Sequence, residues 1–285
     1  MTSPTFSIVT PNRDRLETLR QIIGSWQSCR KIGEIVIVDF GSREPIGPAH
    51  FASADKLHMV RVANADCWRI GLAINIGVEL AASDHICKLD SDIGIRDCSL
   101  FDRLDLENAF YRGKAGSGIS NGQACFHKQS WSVVGGYNEW LSGYGFDDSD
   151  FYQRLRLSGL VERFFDDESL SEITQTTELR AATDYHTELL SLRFADATGR
   201  LIYMESRNTY LAMLRRWSAE MRRPYTVQPG ATGIDTVVLQ SFGSDYRWAD
   251  AVASFLAVVR VSGTPQNVNL LNSLVRQYLS EVGGF

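Results

Sequence analysis

The stretch that decides the fold is Ile35-Val36-Ile37-Val38-Asp39-Phe40-Gly41-Ser42. Four consecutive apolar β-formers leave no polar face for water, so the strand they form must be covered on both sides, as in a parallel sheet flanked by helices. The run stops at Asp39-Phe40-Gly41-Ser42, which has the composition of a turn. On its N-terminal side, residues 6–10 form a second short apolar run ending in Pro11-Asn12-Arg13, and Leu16, Leu19, Ile22 and Ile23 then recur at helical spacing. On its C-terminal side, Leu57–Val62 reads as a third strand, and Ile70, Ala73, Ile74, Gly77, Val78 and Ala81 as the apolar stripe of a helix. Residues 85–89 form a fourth strand that runs into Asp90-Ser91-Asp92. This alternation predicts an α/β fold with an open, mostly parallel sheet and right-handed crossovers. Ligands of such sheets gather at the carboxyl ends of the strands, where Asn12, Arg13, Asp39 and Asp90 all emerge.

Further along, residues 97–111 suggest a surface helix, 123–127 another strand, and Trp131 and Val134 a short helix ending at Gly135-Gly136. Next comes Gly143-Tyr144-Gly145-Phe146-Asp147-Asp148-Ser149-Asp150, three carboxylates behind two glycines. Phe151, Leu155 and Leu157 place those acids in the first turn of a helix, where negative charge is favourable. Capping explains one or two of the three acids. Crowded carboxylates otherwise call for a cation or act on a proton. Residues 162–200 are polar and carry little pattern. Residues 203–217 look helical, 224–233 look like a linker, and 235–279 read as two or three helices. The expected organisation is a main domain over 1–220 and a helical C-terminal extension over 221–285.

The 285 residues suffice for a substantial core, and a net charge of -5 argues against broad nucleic-acid binding. The five cysteines, with no CxxC pair, read as reduced thiols of a cytoplasmic protein. No signal peptide is evident at the N-terminus. The most apolar late stretch, 249–261, is too short to span a bilayer, which takes about 20 residues, and contains Asp250 and Arg260. The C-terminal helices could pack on the main domain, form a dimer contact, or lie on the inner face of a membrane near a lipid-linked substrate.

An Asp-x-Asp at a strand end suits a hard divalent cation, Mg²⁺ or Mn²⁺, that bridges to a diphosphate. By itself the triplet is a weak signal. The order of motifs is more specific: Pro11-Asn12-Arg13, an apolar strand ending in Asp39-Phe40-Gly41-Ser42, a helix bearing Asn75 and Gly77, Asp90-Ser91-Asp92, and then Gly135-Gly136-Tyr137-Asn138-Glu139 through Asp150 with Arg154 following. In this order residues 6 to about 160 resemble a family 2 glycosyltransferase of the GT-A fold, and the last segment resembles the C-terminal motif of the β1,4-galactosyltransferases and chondroitin-polymerase-like enzymes.

The resemblance implies an inverting, metal-dependent hexosyltransferase of polysaccharide biosynthesis, taking a UDP-sugar as donor and a glycan or lipid-linked glycan as acceptor. It implies that Pro11, Asn12 and Arg13 line the nucleotide pocket, that Asp39 accepts from the uracil ring, and that Arg69 contacts the diphosphate or base. Asp90 would contact ribose or metal, and Asp92 the metal. Asp148 would be the general base, Asp147 a partner of sugar hydroxyls, and Tyr144, beside Gly145, a stacking platform where the family has tryptophan. Two departures stand out: Asp147-Asp148 replaces a glutamate-aspartate pair, and Gln175 stands near the position of a metal-binding histidine, leaving His186 as the nearest histidine. The alternatives are a sugar-phosphate nucleotidyltransferase, for which the glycine-rich phosphate loop is missing, and a degenerate glycan-binding or scaffold protein that kept the fold.

Overall fold

A computed structural model of the protein describes residues 5–65, 67–114, 122–181, 196–230 and 233–241. The first half follows the expected alternation: β1 (Phe6–Asn12), α1 (Leu16–Gln27), β2 (Ile32–Asp39), β3 (Leu57–Val62), α2 (Ile70–Leu80) and β4 (His85–Lys88). β1 pairs in parallel with β2 and with β4, and β2 with β3. Successive side chains of β2 go to opposite faces, as strand geometry requires. Val36 and Val38 join the core under α2, and Ile35 and Ile37 join the core under α1. Helix α2 lies so close to the sheet that a Cβ on Gly77 would meet Val9 at 2.5 Å and Val38 at 3.0 Å. That contact accounts for a glycine in the middle of an otherwise strong helix.

The second half departs more from expectation. β5 (Ile93–Ile95), β6 (Ala109–Arg112), β7 (Ala124–His127), α3 (Lys128–Val133), α4 (Asp147–Leu157), β8 (Val161–Phe164), β9 (Leu170–Glu172), α5 (Thr177–Ala181), α6 (Ala197–Leu214), β10 (Tyr225–Gln228) and β11 (Ile234–Leu239) follow in order. Among the described residues nine strands make one sheet, ordered β10-β11-β3-β2-β1-β4-β7-β6-β8, and β5 with β9 makes a small antiparallel pair. The expected helix over 97–111 is instead a single 3-10 turn at Cys98–Asp102 followed by strand β6. Asp97 caps only that turn, and Ala109, Phe110 and Tyr111 bury themselves in the sheet.

The C-terminal segment also needs correction. Residues expected to be linker and helix form the antiparallel hairpin β10–β11, and β11 adds to β3 in parallel, so this part of the extension completes the sheet. The helices expected beyond residue 241 lie outside the described residues. No helix among the described residues is long and apolar enough to cross a membrane. Cys29 and Cys98 form a disulfide, so the five cysteines are not all free thiols, and Cys67, Cys87 and Cys125 are buried. The bond removes the sequence argument from unpaired thiols for a cytoplasmic setting.

Candidate active site

At the carboxyl ends of β1 and β4 a cavity of about 350 Å³ opens, and both acidic motifs line it. Asp90, Ser91 and Asp92 approach from the end of β4, and Tyr144, Gly145, Asp147 and Asp148 from the glycine-rich loop that starts α4. Pro11 and Arg13 contribute from the end of β1.

The loop is held in an unusual shape. Gly143 (φ 71°) and Gly145 (φ 90°) are left-handed, and so is Phe146 (φ 69°), a bulky residue that adopts this region only when its surroundings impose it. The imposing groups come from α6. The Asn208 amide nitrogen donates to the carbonyls of Ser142 (3.0 Å), Tyr144 (3.3 Å) and Gly145 (2.8 Å), while its oxygen accepts from the Ser142 N–H at 3.3 Å. Arg207, fully buried, donates to the Ser142 hydroxyl at 2.8 Å. Glu205, one turn before Asn208, also lines the cavity.

Of the three acids in the first turn of α4, Asp150 is structural. It is buried against Arg154 at 2.6 Å, and Arg154 also donates to the carbonyls of Val134 (2.7 Å) and Gly136 (2.6 Å). Asp147 and Asp148 face the cavity. One side chain links Asp148 to the other motif: Lys88, fully buried at the end of β4, lies 3.0 Å from Asp90 and 3.4 Å from Asp148 and donates to the Gly122 carbonyl at 2.6 Å. The Tyr137 hydroxyl donates to Asp148 at 3.4 Å.

These distances set the proton affinities. Burial pushes the Asp148 carboxyl up to about 8, against the pull of the Lys88 ammonium, and burial likewise raises Asp147. Burial alone would lower the Lys88 pKa, but Asp148, Asp90 and Asp147 together hold it above its ordinary value. A carboxylate with raised basicity on a cavity wall has the character of a general base.

On the donor side the structure brings only part of the expected set to the cavity. Asn12 is buried and accepts from the Arg15 N–H at 3.3 Å, shaping the start of α1. Asp39 is buried too; its carboxylate accepts from the backbone N–H groups of Ser42 (3.0 Å) and Ile46 (3.1 Å) and pairs with Arg61. Arg69 donates to the carbonyls of Glu139 (3.1 Å) and Trp140 (3.3 Å), so it braces the segment ahead of the glycine-rich loop. None of these three lines the cavity. Arg15 and Arg180 do, beside Glu172 and Gln175. Arg180 pairs with Glu172 at 3.1 Å, and Arg15 donates to the Leu179 carbonyl at 3.2 Å. His186 lies outside the described residues.

Sequence reasoning passed over Lys88, Arg15, Arg180, Glu205, Arg207 and Asn208. Only Lys88 left a local signal, as a charged residue inside an otherwise apolar strand.

The donor wall fits a divalent cation. Burial and the neighbouring Asp90 push the Asp92 carboxyl up to about 6, a strain that a cation beside it would relieve. Among the described residues no His, Cys, Asp or Glu completes a ligand group of three. Asp92, with Asp90 held beside it by Lys88 at 3.0 Å and Gln123 at 2.8 Å, suits a Mg²⁺ or Mn²⁺ that completes its shell with water and substrate phosphates, in place of an all-protein cage.

The comparisons agree with this architecture. Residues 106–180 match a family described as the N-terminal domain of galactosyltransferase. The catalytic domain of Drosophila β1,4-galactosyltransferase 7, in complex with xylobiose, superposes with a TM-score of 0.54 at 14% identity, covering 87% of this chain and 99% of that one. A mutant of the same Drosophila enzyme, in complex with manganese, UDP-Gal and xylobiose, gives 0.52 at 14% identity, covering 86% and 98%. No curated protein sequence matches the chain. The fold is thus the GT-A fold of glycosyltransferases. Within it, the segment that carries the acidic motif is galactosyltransferase-like.

Proposed function

We propose that the protein is an inverting hexosyltransferase that moves a sugar from a UDP-sugar to a hydroxyl of a glycan or lipid-linked glycan. The observation that carries this reading is the shared cavity. Asp92, suited to the donor, and Asp148, suited to an acceptor proton, face one space, and buried Lys88 fixes the base against Asp90.

In this reading Asp92, with Asp90, would hold a Mn²⁺ or Mg²⁺ together with the donor diphosphate. When bound, that ion offsets the charge that develops on the departing nucleoside diphosphate. Arg13, Arg15 and Arg180 also line the cavity and would add positive charge for the diphosphate. Tyr144, 36% exposed, offers a ring face for the acceptor sugar. Asp147 accepts from its neighbouring hydroxyls. Asp148 takes the proton of the attacking hydroxyl as that oxygen bonds to the anomeric carbon, in a single displacement that needs no covalent nucleophile on the protein. The galactosyltransferase-like segment and the UDP-Gal and manganese complex of the Drosophila enzyme support this choice of donor and ion.

The test incubates the protein with a panel of UDP-sugars, Mn²⁺ and a broad set of glycosides, and measures UDP release. The expected result is acceptor-dependent release that is lost in Asp148→Asn and on chelation of the ion. Thermal stabilisation by UDP and Mn²⁺ with no turnover on any acceptor would mark a binding protein and overturn the proposal.

A further inference from the structure

Asp90 stands just past the end of a ladder. The last register pair of β4 with β7 is Lys88 with Ala124, so the Asp90 N–H and the two residues ahead of β7, Gly122 and Gln123, lie beyond the regular pairing. The Gln123 side chain closes that gap. Its Oε1 accepts from the Asp90 N–H at 2.7 Å, and its Nε2 donates to Asp90 Oδ2 at 2.8 Å. Lys88 approaches the other oxygen, Oδ1, at 3.0 Å. Each oxygen of the Asp90 carboxylate is therefore met by a donor from a different strand end, which fixes the rotation of the group. The side chain still keeps 31% exposure, so a held carboxylate remains open to the cavity.

The support is itself supported. Gln123 is 1% exposed, and its carbonyl accepts from the Tyr152 hydroxyl at 3.2 Å and from the Gly113 N–H at 3.2 Å. Tyr152 belongs to α4, one turn after Asp148 on the same helix face, and stacks on Phe110 with ring centroids 5.8 Å apart. A side chain can orient another only if its own place is fixed. To finish the ladder, the acceptor Oε1 would be enough; the bond from Nε2 to the carboxylate serves no backbone group.

We propose that Gln123 is a positioning residue for the donor: its amide holds the Asp90 carboxylate in the orientation that the ion and the donor diphosphate meet, so that binding needs no rearrangement there. This deepens the hexosyltransferase reading and rests on it for the word donor.

The test measures binding of UDP in the presence of Mn²⁺ to the full-length protein by calorimetry, with thermal unfolding and UDP release from a panel of UDP-sugars followed in parallel. Gln123→Met fills similar space without either bond and should weaken UDP binding with Mn²⁺ by about tenfold, the scale of a lost partner behind a metal-binding carboxylate. Gln123→Glu keeps an acceptor for the Asp90 N–H but replaces the donor to Oδ2 by a like charge, so it should weaken binding at least as much. The donor KM should rise in each variant, with the acceptor KM within about twofold of the parent. Unchanged or tighter binding in both variants, or a Gln123→Glu that binds like the parent while Gln123→Met does not, would show that the amide serves the ladder alone and overturns the inference. Where Gln123→Met fails to fold, Gln123→Glu decides by the same criterion. UDP and Mn²⁺ bound by the parent without transfer to any acceptor would defeat the transferase reading, with the binding ratio still deciding the role of Gln123. No binding by the parent overturns both.

Discussion

On the donor wall, the polar residues that end β1 and β2 are taken up by the fold. Asn12 shapes the start of α1, and Asp39 has its lone pairs filled by Ser42, Ile46 and Arg61. On the acceptor wall the order is reversed: Asp147 and Asp148 face the cavity, while the groups that fix their loop, Arg207 and Asn208, stand behind it on a helix some 60 residues further along. The difference shows that a strand end can supply its own bracing from adjacent turns, whereas a loop in left-handed conformation must borrow it from a distant element.

The comparison breaks most visibly at Asp148. Asp148→Asn should lower transfer by about 10³-fold, the scale of a lost general base. The same change leaves buried Lys88 with Asp90, at 3.0 Å, as its remaining close partner and removes a carboxyl pushed up to about 8, whose penalty on folding grows as pH rises above its unfolded value. The stability of the variant relative to the parent should therefore improve as pH rises from about 5 to 8. Denaturant titration over that range, alongside a UDP-release assay, checks both signs. A stability difference that does not move with pH would mean that Asp148 does not carry the raised carboxyl.

Asp39→Ala tests the opposite wall. It strands Arg61 and two backbone N–H groups, so unfolding free energy should fall by about 3 kcal/mol, while the donor KM of the folded protein changes little. A donor KM that rises tenfold with stability intact would show that Asp39 reads the nucleobase. Asn208→Ala should cost roughly 2 kcal/mol and raise the acceptor KM more than the donor KM, since the amide holds only the acceptor loop. Initial rates with each substrate varied in turn separate the two.

The smallest expected effect lies away from both walls, at His58, which bonds Glu34 at 3.3 Å and Asp235 at 3.0 Å and so ties β11 to the older part of the sheet. The bond to Glu34, reinforced by that to Asp235, raises the His58 pKa above its ordinary 6.5. Burial pushes Glu34 up, but its bonds from His58, the Ala82 N–H and the Ser7 hydroxyl bring it below its ordinary 4.5. The His58 contribution is therefore complete below about pH 6.5 and fades as pH rises through the raised value; the Glu34 contribution is complete above about pH 4.5 and fades as pH falls. The clip should be strongest between those limits, by under about 1 kcal/mol because the groups keep contact with water. His58→Ala should flatten that part of the stability profile.

What could be read in the sequence was what is local. The apolar runs of β2 and β3, the helical stripe of α2 and the strand ahead of Asp90 are patterns within a few residues, and the structure has them in place. β6 was hidden because Asp97 signals a helix start that lasts one turn. β11 was hidden because Ile234–Leu239, between a glycine-rich turn and more apolar sequence, has no helix-breaking residue to show where its pattern changes. The roles of Asn208, Glu205 and Arg69 depend on contacts across 60 to 70 residues, which no spacing rule encodes. Pro11 and Arg13 could be placed by position, and Asp39 could not, because turn-shaping and ligand-binding aspartates look alike in one dimension.

The β10–β11 hairpin has a further consequence, for how the protein behaves when damaged. β3 runs Leu57-His58-Met59-Val60-Arg61-Val62, and β11 covers its outer side. A protease cut before Arg223 would leave that strand as an open edge, with a row of unpaired N–H and C=O groups available to another chain. It would also take away the Arg223 N–H that donates to fully buried Glu139 at 2.6 Å. The cover on that edge is therefore a segment that does not line the cavity, and a clipped protein should aggregate before it loses the residues of its candidate site.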